Sequence, residues 1–324
     1  MKFLKFILLP LVLVVAGLLL YLRFVLPDVG DPENLKFEYS SQRIEHGKYL
    51  ANAVAACMDC HSTRDWTKYS GPLVEGTLGK GGERFAREFG FPGEFYSKNL
   101  TPYSLKNWTD GEILRAITAG VSKDGSALFP VMPHPAYGKL DKEDIMDIIA
   151  YLRSLPEVKN EVPKSHPDFP MNFILNTIPQ KANFTKRPDK KDQLNYGKYL
   201  FTMASCNECH TKQEKGKPVE GMELAGGFEF PLPGGILVRS ANITPDAETG
   251  IGSYTEEMFV KRFKFYADSA YVDPIVKAGE FNTVMPWRMY AQMNEEDLKA
   301  IYAYLKTLKP IKNQVTRFET ATKL

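Results

Sequence analysis

A chain of 324 residues with 44% apolar and 25% charged side chains has the make-up of folded protein and room for about two domains, which excludes a disordered polymer. Its 41 Lys and Arg stand against 39 Asp and Glu, so there is no basic excess and a nucleic-acid partner is excluded too.

In chain order, the first element is the uncharged stretch from Phe6 to Leu22, set between Lys2 and Lys5 on one side and Arg23 on the other. Its length is at the low end for a membrane-spanning helix, and Pro10 is tolerable in one. A cleavable signal is the competing reading, because Val14 and Ala16 make a weak small-residue cleavage site. The apolar run nevertheless continues through Leu18, Leu19, Leu20, Tyr21 and Leu22, where a signal would turn polar. Residues 1–27 are therefore read as an uncleaved anchor. Lysines before the span and Asp28, Asp31 and Glu33 after it put the N-terminus inside. The expectation is a single pass of the inner, cytoplasmic membrane with the remainder on the periplasmic side.

The rest of the chain repeats itself in order. Gly47-Lys48-Tyr49-Leu50 returns as Gly197-Lys198-Tyr199-Leu200, and Cys57-Met58-Asp59-Cys60-His61 as Cys206-Asn207-Glu208-Cys209-His210. Asn99-Leu100-Thr101-Pro102 returns as Asn242-Ile243-Thr244-Pro245, Val131-Met132-Pro133 as Val284-Met285-Pro286, and Ala150-Tyr151-Leu152 as Ala303-Tyr304-Leu305. This predicts two similar folding units, 41–157 and 192–312, joined by a proline-rich linker over 158–191. Within the linker, Phe169 to Leu175 is too apolar for a free tether and is expected to pack against one or both units.

The predicted elements are helical and the expected class is all-α. Asp141 and Asp144 have N-cap and N3 spacing ahead of an apolar stripe at Ile145, Ile148, Ile149 and Leu152. Asn294 and Asp297 stand likewise before Leu298, Ile301 and Leu305, and Thr109 with Glu112 before Ile113 and Leu114. The glycine-rich stretches 71–93 and 216–235 are expected to be loops with at most a short hairpin.

All four cysteines lie in the two C-x-x-C-H motifs. Two thiols at that spacing add to the two vinyl groups of one porphyrin, and the following histidine sits beneath its iron. Cys57 and Cys60, and Cys206 and Cys209, are thus expected to hold two covalently bound haem c groups, with His61 and His210 as axial ligands. A thioredoxin-type pair would need a βαβ context, and neither a zinc site nor simple disulfides explain the histidine after each pair.

The sixth ligand is expected to be Met132 in the first unit and Met285 in the second, because each precedes a proline at a matching position before the last helix. Pro133 and Pro286 bias those methionines to extended backbone. Met289 and Met293 remain alternatives for the second iron. His134 is matched by Trp287 and is read as a surface or propionate neighbour rather than a ligand.

With these motifs in hand, the sequence resembles class I cytochrome c domains, in which a helix leading to C-x-x-C-H crosses a C-terminal helix at a small residue facing an aromatic. Gly47 with Tyr151, and Gly197 with Tyr304, fit that pattern. From Arg43 to Pro310 it more specifically resembles the membrane-bound multi-haem cytochrome subunits of bacterial alcohol, aldehyde and gluconate dehydrogenases. Those relatives usually carry three haem domains and an anchor at the other end. The resemblance implies two tandem class I domains behind the anchor, with Asn99, Thr101, Asn242 and Thr244 either near the haem edges or serving as plain capping turns.

An iron with His and Met on its two axial positions has no open site, so the expected role is electron transfer rather than catalysis. Electrons would come from a dehydrogenase or quinol-linked donor and leave to a terminal oxidase or soluble cytochrome. A di-haem peroxidase is the rival, and it requires one displaceable ligand and a distal acid or base such as His134.

Overall fold

The computed structural model describes residues 2–214 and 216–320. It opens with α1 (Lys2–Phe24), in which Ile7–Phe24 has a mean hydropathy of 2.5 and no buried residue. This helix is long and apolar enough to cross a membrane, by length and composition.

The first half follows with α2 (Ser41–Tyr49), which continues as a π-helical turn to Val54, and α3 (Cys57–Cys60). Next come β1 (Arg84–Phe85), β2 (Gly93–Tyr96), α4 (Pro102–Leu105), α5 (Asp110–Ala119), α6 (His134–Tyr137) and α7 (Lys142–Ser154). Between the halves lie β3 (His166–Pro167) and α8 (Met171–Ile174). The second half contains α9 (Gln193–Met203), α10 (Cys206–His210), β4 (Gln213–Glu214), β5 (Lys217–Pro218), β6 (Glu229–Leu232) and β7 (Ile236–Arg239). It ends with α11 (Glu256–Lys264), α12 (Trp287–Tyr290), α13 (Glu295–Lys306) and β8 (Phe318–Thr320).

The all-α expectation is wrong. Helix makes up 39% of the chain and strand 10%, and the strands form three small sheets. Two of them are built alike. A hairpin from a glycine-rich segment, β1–β2 or β6–β7, takes as its third strand a piece of chain that follows the last helix, β3 or β8. Strands of two to four residues are too short to show a period of two, and their partners lie far away in sequence, so the pattern was invisible. Gly93 has a positive φ, and a Cβ there would lie 2.5 Å from the His166 carbonyl oxygen, so glycine is what lets β2 and β3 approach. The start of the proline-rich segment is thus part of the first half's sheet. Of the apolar stretch beyond it, Leu175 is buried while Phe169 remains 80% exposed.

In each half the helix leading to the cysteines crosses the last helix at a glycine. A Cβ on Gly47 would lie 1.8 Å from the Asp147 carbonyl oxygen, and one on Gly197 would lie 1.9 Å from that of Ala300. The tyrosines of the expected pairs act one turn further on: the Tyr151 hydroxyl accepts from Asn52 (3.0 Å), and the Tyr304 ring meets Phe201 edge-on.

Only one of the three expected capping boxes forms. Thr109 and Glu112 satisfy each other's backbone N–H at 2.7 and 3.2 Å. Asp141 caps α7 through Glu143 N–H, but Asp144 instead accepts from the Tyr199 hydroxyl at 2.6 Å and from Arg187. Likewise Asn294 makes no side-chain cap, and Asp297 accepts from the hydroxyls of Tyr49 (2.5 Å) and Tyr196 (3.0 Å). Each repeated tyrosine hydroxyl also accepts the backbone N–H at the other half's last-helix N-terminus, Asp141 for Tyr199 and Asn294 for Tyr49, both at 3.1 Å.

These contacts sit in a buried core shared by both halves. Hydrogen bonds to a charged group contribute about 1.5–3 kcal/mol. Tyr49→Phe and Tyr199→Phe are each expected to lower the free energy of unfolding by about 2 kcal/mol, read from denaturant midpoints. An unchanged midpoint would show that water replaces the hydroxyl without loss.

Candidate cofactor site

Each C-x-x-C-H segment begins at a kink. Ala56 (φ 49°) and Ser205 (φ 54°) sit in the left-handed region that side chains rarely adopt, at equivalent places in the two halves. The break ends the preceding helix and starts a new turn, α3 or α10, with the cysteines three residues apart and so on one face. None of the four is in a disulfide. Burial pushes the Cys57 and Cys206 thiols up to about 12, so neither is the ready thiolate that a redox dithiol requires.

The two histidines are held identically. His61 Nδ1 lies 2.7 Å from the Lys98 carbonyl oxygen, and His210 Nδ1 lies 2.8 Å from that of Ala241. A carbonyl only accepts, so Nδ1 carries the proton and the Nε2 lone pair is left free, which is how a protein orients a metal-binding imidazole. Burial lowers both histidines' pKa, partly opposed by the carbonyl, and favours the neutral ring. The backbone is pinned as well, since Gly81 N–H and Gly226 N–H donate to the His61 and His210 carbonyls at 2.8 Å. A Cβ on either glycine would lie about 2.5 Å from the backbone of the residue that supplies the histidine's acceptor, Lys98 or Ala241. Lys98, Ala241, Gly81 and Gly226 escaped the sequence reading because they act through the main chain. Their one sequence signal is that Lys98 and Ala241 directly precede the repeated Asn-x-Thr-Pro.

A single cavity of about 1870 Å³ contains Cys57, Cys60, His61 and Met132 together with Cys206, Cys209, His210 and Met285. Pockets for one small ligand run to roughly 300–1,000 Å³, so this volume is large for a single occupant. Its walls are apolar, with Ile113, Ile148 and Leu152 in the first half and Phe259, Ile301 and Leu305 in the second. Tyr137 and Tyr290 line it too and are fixed by their hydroxyls to the Ala55 (3.3 Å) and Ala204 (2.7 Å) carbonyls. Paired thiols on one face, an imidazole with a free Nε2, a thioether in each half and apolar walls form a donor set that fits a covalently attached haem.

The methionine loops are anchored differently. The Met132 carbonyl accepts from His134 N–H at 2.7 Å, and the Met285 carbonyl from Trp287 N–H at 2.8 Å. Met285 has an additional partner, because its carbonyl accepts from the hydroxyl of Ser70, a first-half residue, at 2.6 Å. Ser70 N–H donates in turn to Asn282 at 2.9 Å, so the second methionine loop is held by the first half. Of the alternatives, Met293 lines the cavity and Met289 does not. Met293 occupies the position that Leu140 fills in the first half, where no ligand is possible.

His134 is not at the surface. It is fully buried against Gly120, neither ring nitrogen has a hydrogen-bond partner, and it does not line the cavity. Burial pulls its pKa down to about 4. A distal acid or base on the first iron would have to reach into the cavity, and His134 does not.

Asn99 and Asn242 line the cavity, but their polar atoms serve the fold. Asn99 accepts from Thr101 N–H and hydroxyl and donates to the Val158 carbonyl at 2.8 Å. Asn242 does the same with Thr244 and with the Ile311 carbonyl at 2.7 Å. These turns bind the loop carrying the histidine's acceptor to the chain that leaves the last helix.

Residues 194–309 match the family model for cytochrome c. The chain is 28% identical to the cytochrome c subunit of a quinone-type alcohol dehydrogenase from Komagataeibacter europaeus, over 84% of this chain and 57% of that protein. It is 28% identical to the cytochrome subunit of fructose dehydrogenase from Gluconobacter japonicus, over 82% of this chain and 52% of the relative. A diheme cytochrome c-type protein from Cereibacter sphaeroides is also 28% identical, over 79% of this chain and 82% of its own length. The chain spans little more than half the length of the alcohol and fructose dehydrogenase subunits.

Proposed function

We propose that the protein is a membrane-anchored di-haem c-type cytochrome that relays electrons and catalyses no reaction of its own. The observation that carries this reading is the cavity shared by two carbonyl-fixed histidines and two methionines in equivalent positions. Residues 41–157 and 192–312 would each hold one haem, behind an anchor at 1–27 and on the periplasmic side of the inner membrane. Cys57 with Cys60, and Cys206 with Cys209, would form the thioether links. His61 and His210 would offer Nε2, and Met132 and Met285 their sulfur, to the iron held in their own half. Bound haem supplies an iron that changes charge by one electron with no site left for substrate. The carbonyl-held imidazoles and anchored methionine loops would keep these donors in place, and the mainly apolar lining would favour the less charged form of the bound group. Asn99 and Asn242 form part of the wall beside each histidine's acceptor, and Thr101 and Thr244, which do not line the cavity, hold them there.

Relatives named as dehydrogenase subunits support a dehydrogenase as donor partner. A quinol-linked donor is the alternative to it, and a terminal oxidase or soluble cytochrome is the proposed acceptor.

The test is haem stoichiometry and ligation in the full chain. Alkaline-pyridine quantification should give two haems per chain, with a Met-to-iron charge-transfer band of corresponding strength in the ferric protein. Met132→Ala and Met285→Ala are each expected to remove about half of that band and to lower the potential of the affected iron. One haem per chain, or a band that neither variant changes, would overturn the reading.

A further inference from the structure

The short helix α8 and the turn after it pack against the end of α1, and Asn176 Nδ2 donates to the Leu22 carbonyl at 2.9 Å. Leu175 is buried and holds the segment to the body. On the other side, Phe169 is 80% and Ile174 45% exposed, and Phe24 and Val25 at the foot of α1 are 77% and 54% exposed. The Phe169 and Phe173 rings stand edge to face, 6.3 Å apart. Soluble surfaces rarely gather large apolar side chains in one place unless something covers them.

The position of this patch indicates what covers it. The apolar window Ile7–Phe24 has 18 residues and spans about 27 Å as a helix, close to the roughly 30 Å hydrocarbon core of a bilayer. Phe24 therefore lies near the edge of the hydrocarbon, and the Asn176–Leu22 bond fixes α8 at the same level, in the interfacial zone where aromatic side chains are favoured. We infer that the segment Phe169–Ile174 is a second membrane contact, an interfacial foot that lays Phe169 and Ile174 into the outer leaflet of a lipid bilayer. This rests on the reading of α1 as an anchor. Arg23, Asn172 and Phe173 also line the cavity, so the foot fixes which side of the cavity faces the lipid.

Spin labels test this in the haem-loaded full chain, reconstituted into phosphatidylcholine–phosphatidylglycerol vesicles. Phe169→Cys and Ile174→Cys are labelled separately, with Leu13→Cys as the bilayer reference and Val272→Cys, a site 81% exposed, as the aqueous one. Relaxation by oxygen and by a water-soluble nickel chelate is compared at each site. Both foot positions are expected to show a several-fold higher oxygen-to-nickel ratio than Val272, on the same side as Leu13. If both match Val272 while Leu13 reads as lipid, the anchor stands and the foot is wrong, leaving the patch as a protein-facing surface. If Leu13 also reads as aqueous, the anchor reading fails and the foot fails with it.

Discussion

Replacing both cysteines of one motif, as Cys206→Ala with Cys209→Ala, is expected to halve the covalent haem from two per chain to one, read by alkaline-pyridine quantification and intact mass. The two thiols of a motif share one helical turn, so removing both leaves in the cavity only Cys57 and Cys60, which are committed to the other haem. His210 keeps its bond to Ala241 in this variant, so any haem still bound there would be extractable by acid solvent, which separates loss of attachment from loss of the pocket. The second effect should appear in the other half. The cavity is continuous and the Met285 loop is tied to Ser70, so the first half should unfold at a lower denaturant concentration when the second lacks its haem. A full complement of covalent haem would refute the assignment of Cys206 and Cys209. An unchanged first-half transition would show that the halves are energetically separate.

Gly197→Ala and Gly47→Ala should be the most damaging single substitutions outside the donor set. A methyl group placed 1.8–1.9 Å from a carbonyl oxygen cannot be accommodated by a rotamer change, because one helix backbone fixes the Cβ and the oxygen belongs to the other. The helices would have to part by more than an ångström along a crossing whose flanking residues are buried. Overpacking in a core costs about 1–3 kcal/mol where side chains can move, and more where they cannot. A loss of about 4 kcal/mol or more is expected, visible as failure of the chain to accumulate or as a large fall in the unfolding midpoint. A near-normal midpoint would mean that the crossing is looser than the contact implies.

What was legible in the sequence was local. The cysteines and histidine are contiguous, the methionines stand beside prolines in matching places, and Thr109 and Glu112 need only each other, so spacing alone identified residues that come together in the structure. Asp144 and Asp297 show where this fails. Their N3 spacing promised a cap, but a carboxylate at that position bonds equally well to a tyrosine in the other half, and no local pattern distinguishes the two. The strands were hidden by their brevity and distant partners, and His134 by the assumption that a polar residue two positions from the expected ligand Met132 faces water. The acceptors of His61 and His210 are backbone carbonyls, which any residue supplies, so the side chains at 98 and 241 carry no mark of the role.

The crossed tyrosines also bear on how such a chain can be taken apart. Tyr49 bonds Asp297 while its counterpart Tyr199 bonds Asp144, the counterpart of Asp297. A pairing in which i meets j and j meets i is the signature of an isologous interface, the kind that two identical subunits form about a two-fold axis. One polypeptide here carries the self-complementary surface of a homodimer. Either half produced alone would expose that surface and could satisfy it with a second copy of itself, so an isolated half is expected to pair rather than remain monomeric.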